Sequence, residues 1–123
     1  MADKVHLQRL GFFYRLPDAD RVHVLTLLSR SEPIQDEVAI ADYLDSGLRM
    51  AYMPGVETDP LLPDEPFAGP IHVLTDGHYA WPKTLSYWVR RHHLLLPEKF
   101  LEHIRSAAYQ IPQNLDLGSL VLD

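Results

Sequence analysis

Histidines are the residues of this chain most able to do chemistry, and there are seven among its 123 residues. His92, His93 and His103 could converge if two C-terminal helices packed as a hairpin. A zinc site, however, needs three or four ligands in tetrahedral geometry, and adjacent residues of a helix point in different directions. His92 continues an apolar stripe, and His93 stands at a helix C-terminus, where a cation is favoured. The spacing therefore predicts structural or surface histidines, with no metal and no cofactor.

The other reactive side chains form no recognisable catalytic motif. The sequence has no Gly-x-Ser-x-Gly elbow and no His-Glu-x-x-His pair, and its six glycines are scattered singly, unlike a phosphate-binding loop. Because there is no cysteine, thiol nucleophiles, disulfides and thiolate metal sites are excluded. A triad or a carboxylate pair can assemble from distant positions, so an enzyme stays open. The interpretation that these observations favour is a binding protein.

The acidic residues are concentrated in the middle third of the chain. Residues 32–76 hold ten acids and one base, a net charge of −9. Residues 1–31 hold five bases and three acids (+2), and residues 77–123 hold five bases and four acids (+1). A patch of one sign attracts the opposite charge and repels nucleic acid, which favours a basic protein partner and argues against a nucleic-acid partner. The same acids could instead be a solvated surface that serves solubility.

The segment 54–70 holds four of these acids, no base and five of the ten prolines. Proline removes a backbone donor and fixes φ, so we expect a long loop rather than a helix or an interior strand. We expect its acids to be solvated and to contact the basic partner; they are Glu57, Asp59, Asp64 and Glu65. The alternative is a small enzyme or ligand-binding protein with a pocket beneath this loop.

The flanking segments predict helices and strands. Asp18 or Asp20 as an N-cap favours a helix over a strand for residues 18–29. Ile34–Ser46 is predicted as a helix that Gly47 ends, and Leu48–Met53 as a strand with alternate residues on one face. Two further helices are expected after residues 82 and 97, the second burying Phe100, Leu101, Ile104 and Ala108. The apolar tail after residue 112 is expected to dock as an edge strand.

The strongest local signal is Asp76-Gly77 between two strand-like runs, 71–75 and 78–81. A two-residue Asp-Gly connection predicts a type I′ turn with positive φ at both positions, which would place Leu74 opposite Tyr79. The nearby Trp81 could belong to the core or to an interface. The pattern as a whole predicts an α+β fold in one domain spanning residues 1–123, with a small antiparallel sheet and a type I′ hairpin packed against several helices.

The sequence TDGHYAWP at 75–82, followed by Leu85, Val89 and LPEKF at 96–100, resembles a pattern of small bacterial proteins that serve as immunity partners of polymorphic toxins. The preceding YLDSG at 43–47 resembles the helix end found before that pattern, so the resemblance covers about residues 33–104. Tyr79 stands where the pattern has tryptophan. The resemblance implies an immunity-like inhibitory module that occludes a toxin. It assigns no contact residues, because these vary within such families.

The compartment is also predicted from composition. Residues 1–16 hold three bases with only short apolar stretches between them, so no signal peptide is expected, and no run approaches membrane-spanning length. The absence of cysteine fits a reducing compartment. We therefore expect a cytoplasmic protein without a membrane partner.

Overall fold

The computed structural model describes residues 3–122 and shows an α+β fold. The helices of this part are α1 (Asp18–Leu28), α2 (Glu37–Asp45), α3 (Leu85–His92) and α4 (Glu98–Ser106). The strands are β1 (Val5–His6), β2 (Gln8–Arg9), β3 (Leu48–Ala51), β4 (Val56–Thr58), β5 (Phe67–Pro70), β6 (Val73–Thr75), β7 (Tyr79–Pro82) and β8 (Leu120–Val121). Across residues 3–122, no helix combines the length and the apolar character that a membrane crossing requires.

The central sheet has four strands in the order β2-β7-β6-β3. Strands β3, β6 and β7 are antiparallel, as expected, whereas β2 runs parallel to β7 and makes the sheet mixed. Two separate pairs complete the strands: β4 with β5, antiparallel, and β1 with β8, parallel. Because β8 lies in the C-terminal tail, the prediction that this tail docks as a strand is confirmed.

The helices lie close to their predicted positions, with differences at their ends. Helix α1 confirms the helical interpretation of residues 18–28, but its N-cap is Pro17 rather than Asp18 or Asp20. Helix α2 begins at Glu37, so the residues from Ile34 onward form a preceding turn. Ala108 lies beyond α4 at a φ of 51°, where the chain has left the helix, and it is exposed instead of buried.

The main core lies between one face of the central sheet and the helices. Trp81, Trp88 and Phe100 are its largest fully buried side chains together with Tyr43. The indole N–H of Trp81 donates to the carbonyl of Leu44 at 3.0 Å, which satisfies its polar atom inside the core. This contact settles the position of Trp81 in favour of the core.

A second, smaller cluster lies on the opposite face of the sheet, around Leu7, Val73 and Ala80. Strand β3 contributes to both sides, because a bulge between Arg49 and Ala51 shifts its register. The predicted single face of this strand is therefore wrong: Leu48 packs against the main core and Met50 against the second cluster.

The β6–β7 hairpin is present, but its turn is not type I′. Its register pairs Leu74 with Trp81, two residues beyond the predicted partner Tyr79. Gly77 has a positive φ of 95°, whereas Asp76 does not, so the two positive φ angles of a type I′ turn are not present. The reason is the Asp76 side chain, whose Oδ1 accepts the backbone N–H of His78 at 2.9 Å and that of Tyr79 at 2.8 Å. A shift of two residues keeps each side chain on its predicted face.

The segment 54–70 is also more ordered than predicted. Strands β4 and β5 form a hairpin, with a turn at 59–66 in which the Asp59 N–H donates to the Pro66 carbonyl at 2.9 Å. Prolines are compatible with this arrangement because a two-stranded ribbon leaves one edge of each strand unpaired. The prediction of a long loop is therefore wrong, whereas the prediction that the segment holds no interior strand agrees with the pairing.

Candidate functional site

The β4–β5 hairpin turns two of its predicted binding acids inward. Glu57 is 3% exposed, and its Oε1 accepts the Thr84 hydroxyl at 2.7 Å while Oε2 lies 3.3 Å from Nη1 of Arg21. Burial raises the pKa of Glu57, and the Thr84 hydroxyl and the Arg21 charge act against that rise. The prediction that Glu57 is solvated is wrong, because Arg21 in α1 and Thr84, the residue before α3, supply donors that replace water.

Asp59 is held in the same way, and it is fully buried. Its Oδ2 accepts the Tyr87 hydroxyl at 2.7 Å and lies 2.6 Å from Nε2 of His92, while Oδ1 accepts the N–H of Leu61 at 2.9 Å. Burial alone would raise the pKa of Asp59, but His92 and Tyr87 hold it below its usual value. Burial and this carboxylate together raise the pKa of Tyr87 to about 12. The prediction of a solvated Asp59 is therefore also wrong.

The same three residue types recur at the turn of the β6–β7 hairpin. Asp76 is 1% exposed, and its Oδ2 accepts the Tyr43 hydroxyl at 2.5 Å and lies 2.9 Å from Nε2 of His103. Burial and the hydrogen bond to Asp76 raise the pKa of Tyr43. Each tyrosine–aspartate–histidine cluster thus fastens a hairpin to helices: Asp59 joins β4–β5 to α3, and Asp76 joins β6–β7 to α2 and α4.

Most acids of the central segment are paired with bases outside it. Seven of the ten acids in residues 32–76 lie within 4 Å of a basic nitrogen. Their partners are Arg21 in α1 and five residues of the α3–α4 region: Arg90, His92, His93, His103 and Arg105. Three of these partners are arginines, so part of the uneven charge along the sequence is cancelled within the fold, an outcome that neither sequence alternative anticipated.

The histidines of the C-terminal helices do not converge. His92 pairs with Asp59, His93 with Glu37, and His103 with Asp76, so each imidazole meets a different carboxylate. Within residues 3–122, no group of three or more potential ligands is placed to hold a metal ion. In this fold the three pairs act as cross-links between elements.

The outward side of the hairpin carries the other two predicted acids and two apolar side chains. Val56 is 60% exposed and Phe67 is 62% exposed, and Asp64 and Glu65 are exposed in the turn between the strands. Neither of these two acids forms an ion pair with any residue in the part of the chain that the structure describes. Of the four predicted binding acids, only this pair offers its charge to solvent.

The inward side of the hairpin is occupied by protein. Glu57 and Asp59 bind side chains of α1 and α3 there, and Leu61 packs against the main core. The space beneath residues 54–70, where the alternative hypothesis places a ligand pocket, is therefore filled by packed side chains. Sequence analysis missed the residues that make this layer, which are Thr84, Tyr87 and His92. The available signal was the spacing of three residues between Thr84 and Tyr87, which places two hydroxyl donors on one side of a helix.

Comparison of this chain with protein-family models, with curated proteins and with solved structures gave no match. The resemblance to immunity proteins of polymorphic toxins therefore stays a prediction.

Proposed function

We propose that this chain is a cytoplasmic protein-binding module that occludes a basic protein partner, in the manner of an immunity protein against its toxin. The observation that carries the proposal is the outward face of the β4–β5 hairpin. It carries exposed Val56 and Phe67 on its strands and the unpaired acids Asp64 and Glu65 in its turn. Exposed aromatic side chains are the usual anchors of interfaces, and charges at the rim accelerate encounter with an oppositely charged partner.

The buried acids support binding indirectly. Because Glu57 and Asp59 fasten the hairpin to α1 and α3, the exposed side chains are held in place before a partner arrives. A surface that is ordered in the free protein loses less conformational entropy on association. The roles of the four predicted acids thus divide: two hold the hairpin and two face the partner.

Negative charge continues beyond the hairpin. Arg21 donates to the Thr58 carbonyl at 3.1 Å, so α1 lies against β4, and the first turn of α1 carries the exposed acids Asp18 and Asp20. These side chains extend the acidic rim that a basic partner would meet. The absence of cysteine supports a reducing compartment such as the cytoplasm.

Partner capture followed by binding kinetics tests this proposal. The wild type and a Phe67→Ala variant are used as baits, and a partner is accepted only if it is retained by the first and lost by the second. We expect Phe67→Ala to weaken binding by about 2–4 kcal/mol, the range of an interface anchor. We expect Asp64→Asn with Glu65→Gln to slow association at low salt, with less effect once salt screens the charges.

The matched control is Glu32→Gln with Glu102→Gln, which removes the same charge from exposed positions outside the hairpin. It should leave association close to that of the wild type. If the control slows association as much as the hairpin variant, only net charge matters and the hairpin is not the contact surface. If the accepted partner is acidic, or if the Phe67→Ala variant retains every protein that the wild type retains, the proposal is wrong.

A further inference from the structure

A groove on the sheet face opposite the helices combines positive charge with aromatic side chains. It has a volume of about 300 Å³, and its lining includes two arginines and no acid. Its floor is Val73 of the second core cluster, and its walls include Phe12, Tyr14 and Met53. The groove shares no residue with the β4–β5 hairpin.

The two arginines of the groove, Arg9 and Arg15, have charges that the rest of the described chain leaves uncompensated. Both are exposed, and neither forms an ion pair with a residue in 3–122, although most acids of the central segment have found a base. Burial raises the pKa of Tyr14; the charges of Arg15 and Arg9 oppose this rise, and the Glu57 charge adds to it. Arg9 and Arg15 line the groove together with Tyr14.

The walls suit a flat apolar group. The rings of Phe12 and Tyr14 meet edge to face, with centroids 6.1 Å apart, and both line the groove, where an aromatic guest could pack against them. Met53 adds a flexible thioether that adapts to the shape of an aromatic guest. A guanidinium group binds phosphate or carboxylate through two parallel hydrogen bonds and also stacks on aromatic rings.

We propose that this groove binds a small anionic ligand whose phosphate or carboxylate is carried on an aromatic group. The anion lies between Arg9 and Arg15, and the ring packs against Phe12 and Tyr14. The volume of the groove is at the lower end for small-molecule sites, about 300–1,000 Å³, and matches a ligand of one or two rings. This site is independent of the proposed protein interface, since it selects negative charge rather than a basic partner.

Titrations followed by NMR, with probes that separate the two parts of the ligand, test the site. Phenyl phosphate carries both the ring and the anion, inorganic phosphate only the anion, and benzyl alcohol only the ring. We expect phenyl phosphate to bind about tenfold more tightly than either partial probe and to shift the signals of Phe12 and Tyr14. Parallel titrations with adenosine monophosphate and N-acetylphenylalanine show whether phosphate or carboxylate is the preferred anion.

Variants then assign the anion contact. Arg9→Gln with Arg15→Gln should weaken phenyl phosphate binding by about tenfold or more, because both charge-assisted contacts are lost. The control, Arg91→Gln with Lys99→Gln, removes the same charge from exposed positions outside the groove and should leave binding unchanged. Thermal melts of all variants should match the wild type, because the four side chains are exposed.

Three results would overturn the inference: no shift with phenyl phosphate at millimolar concentration, equal affinity for phenyl phosphate and inorganic phosphate, or equal losses in the groove and control variants. The first result would mean that the groove does not bind the ligand. The second would mean that the aromatic ring does not contribute to affinity, and the third that net charge alone explains the binding. None of these results depends on whether the β4–β5 hairpin binds a protein.

Discussion

Replacing Asp59 with alanine removes the acceptor that fastens the β4–β5 hairpin to α3. Three donors lose their partner at once: the Tyr87 hydroxyl, the His92 ring and the Leu61 N–H. Leaving a buried polar group unpaired costs about 1–3 kcal/mol, and breaking a buried ion pair from one side costs about 3–5 kcal/mol. Because the His92 side chain keeps 13% exposure and can recover some hydration, we expect a loss of about 3–4 kcal/mol.

Urea unfolding at pH 7 measures this loss as a change in the free energy of unfolding. Asp59→Asn serves as a gentler variant, because the amide keeps the shape and one acceptor; we expect it to cost about 1–3 kcal/mol. Asp64→Ala in the same hairpin is the control, and as an exposed unpaired acid it should stay within about 0.5 kcal/mol of the wild type. A loss below about 1 kcal/mol for Asp59→Ala would refute the conclusion that Asp59 fastens the β4–β5 hairpin to α3.

The pH dependence gives a second check on the same carboxylate. The pKa of Asp59 is lowered in the fold, so the stability it contributes is complete above its unfolded pKa of about 3.9 and disappears as the pH falls through the folded value. The difference between the wild type and Asp59→Asn should therefore be largest near neutral pH and shrink in acid. A difference that is unchanged down to pH values near about 3 would mean that the charge of Asp59 contributes nothing.

Three further predictions concern other parts of the fold. Gly77→Val should cost about 1–3 kcal/mol in a thermal melt, because valine disfavours positive φ; its Cβ would also lie 2.9 Å from the Leu115 side chain. Hydrogen bonds from Arg105 and from the Tyr109 hydroxyl lower the pKa of Asp36 to about 2. The stability that this carboxylate contributes should therefore be lost as the pH falls from its unfolded pKa of about 3.9 to about 2. Circular dichroism should show this pH dependence in the wild type and not in Asp36→Asn. Purified protein should carry no stoichiometric zinc, and a chelator should leave its melting temperature unchanged, because His92, His93 and His103 each meet a separate carboxylate.

The parts of the fold that follow local rules could be predicted from the sequence. Helices α3 and α4 each place apolar residues at helical spacing behind a proline, and both begin within a few residues of their predicted starts. The β6–β7 hairpin was predicted from Asp76-Gly77, but its register was not. The Asp76 carboxylate accepts two backbone N–H groups, and these hydrogen bonds compete with the usual turn geometry that fixes the register. Which N–H groups the carboxylate reaches depends on the folded turn, so the sequence alone does not reveal them.

The candidate site was missed for a different physical reason. Strand patterns are interpreted with apolar residues facing inward, whereas β4 turns Glu57 inward and Val56 outward. This inversion is stable only because Arg21 and Thr84, distant in sequence, supply the charge and the donor that Glu57 needs. No local pattern around residue 57 contains that information.

The pairing of central acids with later bases also constrains when the chain can fold during synthesis. Glu57, Asp59 and Asp76 precede their α3 and α4 partners by 27 to 33 residues. Until these helices leave the ribosome, docking either hairpin would bury carboxylates without their donors, which is strongly unfavourable. The first 76 residues carry a net charge of −7 from the +2 and −9 segments, and this self-repulsion further disfavours a compact state before the later bases emerge. We therefore expect both hairpins to dock late, once α3 and α4 have emerged.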